Sequence, residues 1–347
     1  MKFRSLGKWG LKLSEISIGT MYHGSYISKE QSHRVLKAAV DNGINYLDCA
    51  DRYGIHDSEL PLEQRTPAEI VLGEFLKDYE RSDLVISSKI WYQMNDKNPN
   101  SGGLSRKHIR ESIKTTLKNL GTDYLDIYFC HRPDRTSALE ETILTMSNLI
   151  DEGTILYWGT SWWPPVLIER VISLAKELGA HPIHVEQPPY HMFARFIETK
   201  DETIDLAKYH GLGLTTFEAL ATGLFTGKYQ NVIPPGSRYD AEDSDLASEV
   251  LERYREVLPP LMEIAKSLEI TMSQLAIAWT LRNKEVTSSI TGASKPEQVV
   301  ENVHASEVNL SKEIIKQIDE IIEKTRPRPR YYYQYGYYDV SETLIRG

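Results

Sequence analysis

The chain has 347 residues, 41% of them hydrophobic, with 40 lysines and arginines against 49 aspartates and glutamates for a net charge of −9. That is enough apolar material for one large core, and too acidic a surface for a phosphate-backbone binder, so nucleic acid is excluded as a default partner. Two cysteines, Cys49 and Cys130, are too few for a disulfide framework, and neither a signal-peptide core nor a run of roughly 20 apolar residues is present. A cytoplasmic protein without membrane insertion is expected.

In chain order, residues 1–14 carry a KWG turn and read as a short hairpin. Apolar, β-branched runs of strand length then follow at 15–20 (EISIGT), 45–50 (NYLDCA), 84–90 (LVISSKI), 125–131 (LDIYFCH), 155–161 (ILYWGTS), 183–187 (IHVEQ), 212–217 (LGLTTF) and 287–292 (TSSITG). Between them lie segments of helical period. In 105–120, Ile109, Ile113, Leu117 and Leu120 fall on one face. Glycines close several of these segments, at Gly43, Gly121, Gly153, Gly179 and Gly211. Strict alternation over eight strands predicts a parallel sheet closed into a (β/α)8 TIM barrel, with the N-terminal β-hairpin capping its bottom. A doubly wound open sheet is the rival, but no G-x-G-x-x-G turn follows an early strand. Residues 311–325 add a C-terminal helix with Ile314, Ile315, Ile318, Ile321 and Ile322 on its apolar face. The expected division is a barrel over 1–325 and an aromatic-rich tail over 326–347, where six of the 20 tyrosines lie beside Arg326, Arg328 and Arg330. Basic residues interleaved with tyrosines could stack single-stranded nucleic acid, but the acidic barrel disfavours this. The tail is expected to fold onto the barrel or a neighbouring subunit.

Barrel enzymes draw their chemistry from the C-terminal ends of the strands and the loops beyond. The long stretches 51–66, 91–104 and 229–248 all follow strands. Polar residues at the strand ends are Asp48, Lys89, His131, Ser161 and Gln187, with Tyr53 just past the second strand. An Asp and a Lys inside apolar runs are costly unless paired. An ammonium beside a phenol favours the phenolate and makes Tyr53 a better proton donor near neutral pH. A histidine at the adjacent strand end can orient a carbonyl oxygen. No side chain donates hydride, so a nicotinamide is required. After strand eight, Gly292-Ala293-Ser294-Lys295-Pro296 opens a helix in the manner of an anion site, and Lys295 suits a 2′-phosphate. A plain helix cap is the alternative. Lys228 and Arg238 flank the loop after strand seven and could reach a pyrophosphate.

Taken together, Asp48-Cys49-Ala50-x-x-Tyr53-Gly54, Lys89, His131, Gly159-x-Ser161, Gln187, Gly223-x-x-Thr226-Gly227-Lys228-Tyr229 and Gly292-Ala293-Ser294-x-x-x-Gln298-x-x-Glu301-Asn302 resemble the aldo-keto reductases, in family order from about residue 3 to 324. The runs Gly103-Leu104-Ser105-Arg106-Lys107-His108-Ile109, Arg132-Pro133-Asp134 and Tyr157-Trp158-Gly159-Thr160-Ser161 are similar to the voltage-gated potassium channel β subunits and their bacterial relatives. The resemblance implies a catalytic tetrad of Asp48, Tyr53, Lys89 and His131 and an NADPH/NADP+ cofactor across the barrel mouth. It puts Thr20 and Met21 by the nicotinamide ribose, Ser161 and Gln187 at the nicotinamide amide, Leu220 and Lys228 at the pyrophosphate, and Ser294, Lys295, Gln298, Glu301 and Asn302 at the adenosine end. Asp48, Trp162, Phe217, Ala221, Arg238 and Gly292 are further cofactor-binding candidates. The expected reaction is reversible reduction of a small carbonyl substrate, with Tyr53 as the proton donor.

Four departures stand out: Trp162 replaces the usual Asn or Arg, Glu218-Ala219-Leu220-Ala221 replaces Ser-Pro-Leu-Ala, Cys49 replaces the usual Thr, and residues 56–67 form a longer insertion that would reshape the substrate pocket. The alternative implied by the same resemblance is an NADPH-binding regulatory subunit of a membrane channel with weak reductase activity. His131 stands where those subunits carry Asn, which favours a working enzyme. A homo-oligomer is also implied, although no interface patch is legible. A Schiff-base aldolase using Lys89 is disfavoured by the paired Asp48. His181, His184, Glu186 and His191 do not match a metal-ligand spacing, so no metal is expected, and Cys49 and Cys130 read as small barrel-filling residues.

Overall fold

The computed structural model describes residues 1–55, 65–95, 97–199, 203–235, 237 and 244–324. Strands β1 (Phe3–Ser5) and β2 (Lys12–Ser14) pair antiparallel as the hairpin. Eight further strands follow: β3 (Ile16–Gly19), β4 (Tyr46–Asp48), β5 (Val85–Ile90), β6 (Leu125–Cys130), β7 (Ile155–Ser161), β8 (Val185–Gln187), β9 (Gly213–Thr216) and β10 (Val286–Thr291). They close in that order, all parallel, with β10 returning to β3. Every expected strand is present, most trimmed by a residue or two at an end, which is where pairing frays.

The helices are α1 (Lys29–Asp41), α2 (Ala68–Leu76), α3 (Arg106–Leu120), α4 (Leu139–Asp151), α5 (Pro165–Leu178), α6 (Phe196–Thr199), α7 (Thr203–His210), α8 (Ser244–Ser267), α9 (Met272–Leu281), α10 (Pro296–Val303) and α11 (Lys312–Lys324). Helix α3 shows why such a segment folds. The Ser105 side chain caps its start by accepting from His108 N, Ile109 and Ile113 are buried, and Gly121 at φ 65° ends it in a left-handed turn open to a residue without Cβ. In α11 the isoleucines face the core as the periodicity predicts, with Ile318 and Ile322 buried.

Two apolar layers result. One lies between the strands and the helices. The other fills the barrel's lower interior, where Leu6 and Leu13 of the hairpin pack with Tyr46, Ile127, Phe129 and Val185. The hairpin is a plug. Gly7 comes so close to Gly211 and Leu212 that a Cβ there would lie 2.2 Å from the Gly211 carbonyl oxygen, and Arg4 ties the plug to the barrel through Glu15 and the Leu281 and Val286 carbonyls. With the bottom sealed, only the C-terminal mouth can admit a ligand. No helix among the described residues is long and apolar enough to cross a membrane. Arg238, most of the 56–67 insertion and the 326–347 tail lie outside the described residues.

Candidate active site

Strand pairing builds the site. Asp48 ends β4 in register with Ser87 of β5, and Lys89 lies two residues on, so alternation points Ser87 and Lys89 to the same inward face. The Lys89 ammonium is fully buried and donates to Asp48 Oδ2 at 2.5 Å and to the Cys49 carbonyl at 2.8 Å. Its third neighbour is Tyr53, whose hydroxyl lies 3.4 Å away. The turn after β4 brings Tyr53 back over the strand end, held by a bond from its amide to the Ala50 carbonyl and from Ala68 N to its own carbonyl. An ion pair, a phenol and an opening to solvent therefore share one spot.

His131 follows β6 and meets the Tyr53 ring edge-on, with centroids 5.9 Å apart. It is 5% exposed, and burial, aided by Arg132, Lys89 and Arg52, holds its imidazolium form well below the usual histidine range. The ring is neutral at physiological pH, so it can donate a hydrogen bond without carrying charge. Beside it opens a cavity of about 520 Å³ lined by Arg52, Trp91, Tyr92 and Asp134. The Tyr92 ring stands 5.1 Å from His131, with the Arg52 guanidinium 3.7 Å from its face on the other side.

Around the mouth the cofactor candidates take different positions. Ser161 donates to the Gln187 carbonyl at 3.1 Å, and the Gln187 side-chain nitrogen donates to Asp48 Oδ1 at 3.0 Å. Gln187 thus belongs to the polar cluster at the base of the site as well as to the mouth. Thr20 spends its hydroxyl on the Asp48 carbonyl at 3.0 Å and is fully buried, while Met21 beyond it is half-buried. Trp162 packs edge-to-face on Phe217 at 5.8 Å. Leu220 and Ala221 sit on the loop after β9, where the Lys228 ammonium approaches Gly223. Gly292, Ser294, Lys295 and Gln298 are exposed at the start of α10, and Asn302 is buried on its inner side. The amides of Ser294 and Lys295 are already capped by Gln298 Oε1 at 2.8 and 3.2 Å, and Glu301 accepts from the Thr271 hydroxyl. The helix start is capped from within, by the Gln298 side chain.

Sequence reasoning missed two features. Trp162, Glu218, Ala221 and Thr222 all have φ between 45° and 64°, and they account for four of the five non-glycine residues with positive φ among the described residues. Such backbone costs of order 1–3 kcal/mol per residue and clusters where a ligand-binding loop needs a particular shape. No residue type signals it in advance. The second is the pair of hydroxyls, from Tyr46 and Ser87, at the Asp48 carboxylate, which only the strand register reveals.

The histidines of β8 and its flanks serve the fold: His181 pairs with Asp151 and His184 bonds the Trp158 backbone. Among the described residues no group of three or more His, Cys, Asp or Glu side chains is placed to hold a metal. Burial pushes the Cys49 and Cys130 thiols up, away from the reactive thiolate.

A sealed parallel barrel whose mouth holds a buried Asp–Lys pair, a phenol and a neutral imidazole defines a barrel enzyme of the oxidoreductase kind. The Aldo/keto reductase family model matches residues 15–323, and the chain belongs to that family. It is an NADP-dependent oxidoreductase acting on CH–OH and C=O groups. The chain is 37% identical over 344 residues to a probable voltage-gated potassium channel subunit beta of Arabidopsis thaliana, covering 96% of this chain and all of that one. It is 37% identical over 341 residues to the Oryza sativa subsp. japonica protein of the same description, again covering 96% of this chain and all of that one. A putative voltage-gated potassium channel subunit beta of Schizosaccharomyces pombe is 38% identical over 337 residues, covering 93% of this chain and 94% of that one.

Proposed function

We propose that the protein reduces small aldehydes or ketones reversibly with NADPH, and that Asp48, Tyr53, Lys89 and His131 do the chemistry. The observation that carries this is the Lys89 ammonium, buried between the Asp48 carboxylate and the Tyr53 hydroxyl. In reduction Tyr53 gives its proton to the developing alkoxide, and the ammonium 3.4 Å away stabilises the phenolate left behind. His131 donates to the carbonyl oxygen and holds it at Tyr53; because the ring is neutral, it polarises the oxygen without competing as an acid. Trp91 and Tyr92 wall the substrate cavity beside them. In oxidation the same phenolate takes the proton back.

When bound, the nicotinamide supplies the hydride. The donor chemistry of the mouth fits a dinucleotide. Ser161 and Gln187 offer amide contacts at the strand ends, Trp162 and Phe217 an apolar wall, and the left-handed loop with Leu220, Ala221 and Lys228 a cradle and a cation for the pyrophosphate. Gly292, Ser294, Lys295, Gln298, Glu301 and Asn302 would hold the adenosine end, with Lys295 meeting a 2′-phosphate by its ammonium. We place this activity in the cytoplasm, in a homo-oligomer.

The second reading is an NADPH-binding regulatory subunit of a channel, favoured by the names of relatives that align over nearly the whole chain. One assay separates the two. NADPH consumption is followed by absorbance over a panel of small aldehydes and ketones, beside NADPH binding by fluorescence. Turnover at ordinary enzymatic rates, of order 1 s⁻¹ or above, supports the enzyme. Tight NADPH binding without turnover on any of them supports the regulatory reading.

A further inference from the structure

Around the Asp48 carboxylate, on the side away from Lys89, lies a cluster of side-chain hydrogen bonds. Tyr46 is two residues before Asp48 on β4, and Ser87 stands opposite Asp48 on β5, two before Lys89, so alternation turns all four side chains to the same inward face and brings both hydroxyls to the Asp48 carboxylate. Ser87 Oγ donates to Asp48 Oδ1 at 2.8 Å. The Tyr46 hydroxyl lies 3.0 Å from Ser87 Oγ and 3.3 Å from Asp48 Oδ1. Thr215 of β9 accepts from the Gln187 side-chain nitrogen at 3.4 Å, and the same nitrogen donates to Asp48 Oδ1. All five groups are buried, and they span the barrel from β4 and β5 to β8 and β9.

We infer that Tyr46 and Ser87 are positioning residues for the reaction: they form a hydroxyl floor that fixes the Asp48 carboxylate, and through it the Lys89 ammonium, against Tyr53. A carboxylate has two oxygens with room for several donors. Here Oδ2 is given to Lys89, and Oδ1 receives every floor donor. The floor therefore decides which way the carboxylate faces. Burial keeps the Tyr46 phenol protonated, so it remains a donor throughout the working pH range. Purely apolar residues could fill the same volume with less desolvation cost, as Leu6, Leu13 and Ile127 do around the Tyr46 ring. The polar floor therefore answers to Asp48.

The inference rests on the proposed role of Tyr53. Losing a floor donor leaves more of the carboxylate's charge on Lys89 and lets the carboxylate turn, and both weaken the ammonium's hold on the phenolate. The protein is labelled with 3-fluorotyrosine and titrated by 19F NMR, the Tyr53 signal being assigned by its loss in Tyr53→Phe. Ser87→Ala and Tyr46→Phe should each raise the Tyr53 midpoint by about one pH unit, the tenfold change that one hydrogen bond to a charged group supplies. Ser87→Thr, which keeps the hydroxyl, should restore it, and NADPH affinity should be unchanged throughout. Tyr46→Phe removes a single oxygen and keeps the test alive if Ser87→Ala does not fold. A Tyr53→Phe protein that keeps the parent's rate overturns the general-acid reading. An unmoved Tyr53 midpoint in both floor variants, whatever their rates, overturns this inference.

Discussion

The Asp48–Lys89 pair is not symmetrical, and the asymmetry is measurable. Lys89 is fully buried, and among the described residues its only charged hydrogen-bond partner is Asp48; the Cys49 carbonyl and Tyr53 hydroxyl are neutral. Asp48, by contrast, also accepts from Ser87, Gln187 and Tyr46. Asp48→Asn therefore strands a buried cation and should cost about 3–5 kcal/mol, the usual loss when one partner of a buried pair is removed. Lys89→Met leaves a carboxylate still held by three donors, and should cost less, about 1–3 kcal/mol. In the double variant neither charge remains. Its loss should be no greater than that of Asp48→Asn alone, giving a coupling energy at least as large as the Lys89→Met loss, about 1–3 kcal/mol. Urea unfolding followed by circular dichroism at pH 7, with the slope compared across all four proteins, measures each term. Single losses that simply add would refute the pairing, and a larger loss for Lys89→Met would refute the account of the floor.

Other consequences are open to simpler tests. Asp51 is 8% exposed, and burial first, then Glu69, raises its carboxyl well above the usual range. A carboxyl raised in the folded state binds a proton that the unfolded chain has lost, so it erodes stability as pH climbs above about 4. Asp51→Asn should stabilise the protein at pH 7, by about 1–3 kcal/mol or roughly 1–4 °C in Tm, and should have little effect at pH 4; destabilisation at pH 7 would show the carboxylate to be charged and held. His23 is buried with neither ring nitrogen hydrogen-bonded among the described residues, and burial first, then His33, lowers its pKa to about 4. A depressed histidine loses stability as pH falls below about 6.5, so His23→Leu should flatten the melting curve between pH 6.5 and 4.5 relative to wild type. Lys295→Ala should weaken NADPH binding about tenfold and leave NADH unchanged, as measured by fluorescence titration; an unaltered preference would place the 2′-phosphate elsewhere.

Much of this was readable from the residues. Strand positions came from β-branched runs between helical periods, because a parallel sheet covered on both sides needs continuous apolar strands. Asp48 and Lys89 stood out because charges inside such runs demand partners. Tyr46 and Ser87 did not, since a tyrosine and a serine in a strand look ordinary until register puts them beside Asp48. Gln187 was read only as a nicotinamide contact because nothing local reveals that its nitrogen reaches across to Asp48. The helix start at Ser294 shows what a motif leaves open: the Gly-Ala-Ser-Lys pattern does not reveal that Gln298 Oε1 accepts from the Ser294 and Lys295 amides, which leaves the Lys295 ammonium as the group to meet an anion. Left-handed Trp162 and Glu218 were invisible, because their side chains favour no such backbone and the surrounding fold imposes it.

The central claim is that Tyr53 moves the proton. Single-turnover reduction of a small aldehyde with saturating NADPH, wild type beside Tyr53→Phe, tests it most directly. The account predicts a rate lower by 10²- to 10⁴-fold in the variant, the ordinary contribution of a general acid, with NADPH affinity unchanged. Equal rates in the two proteins would contradict it.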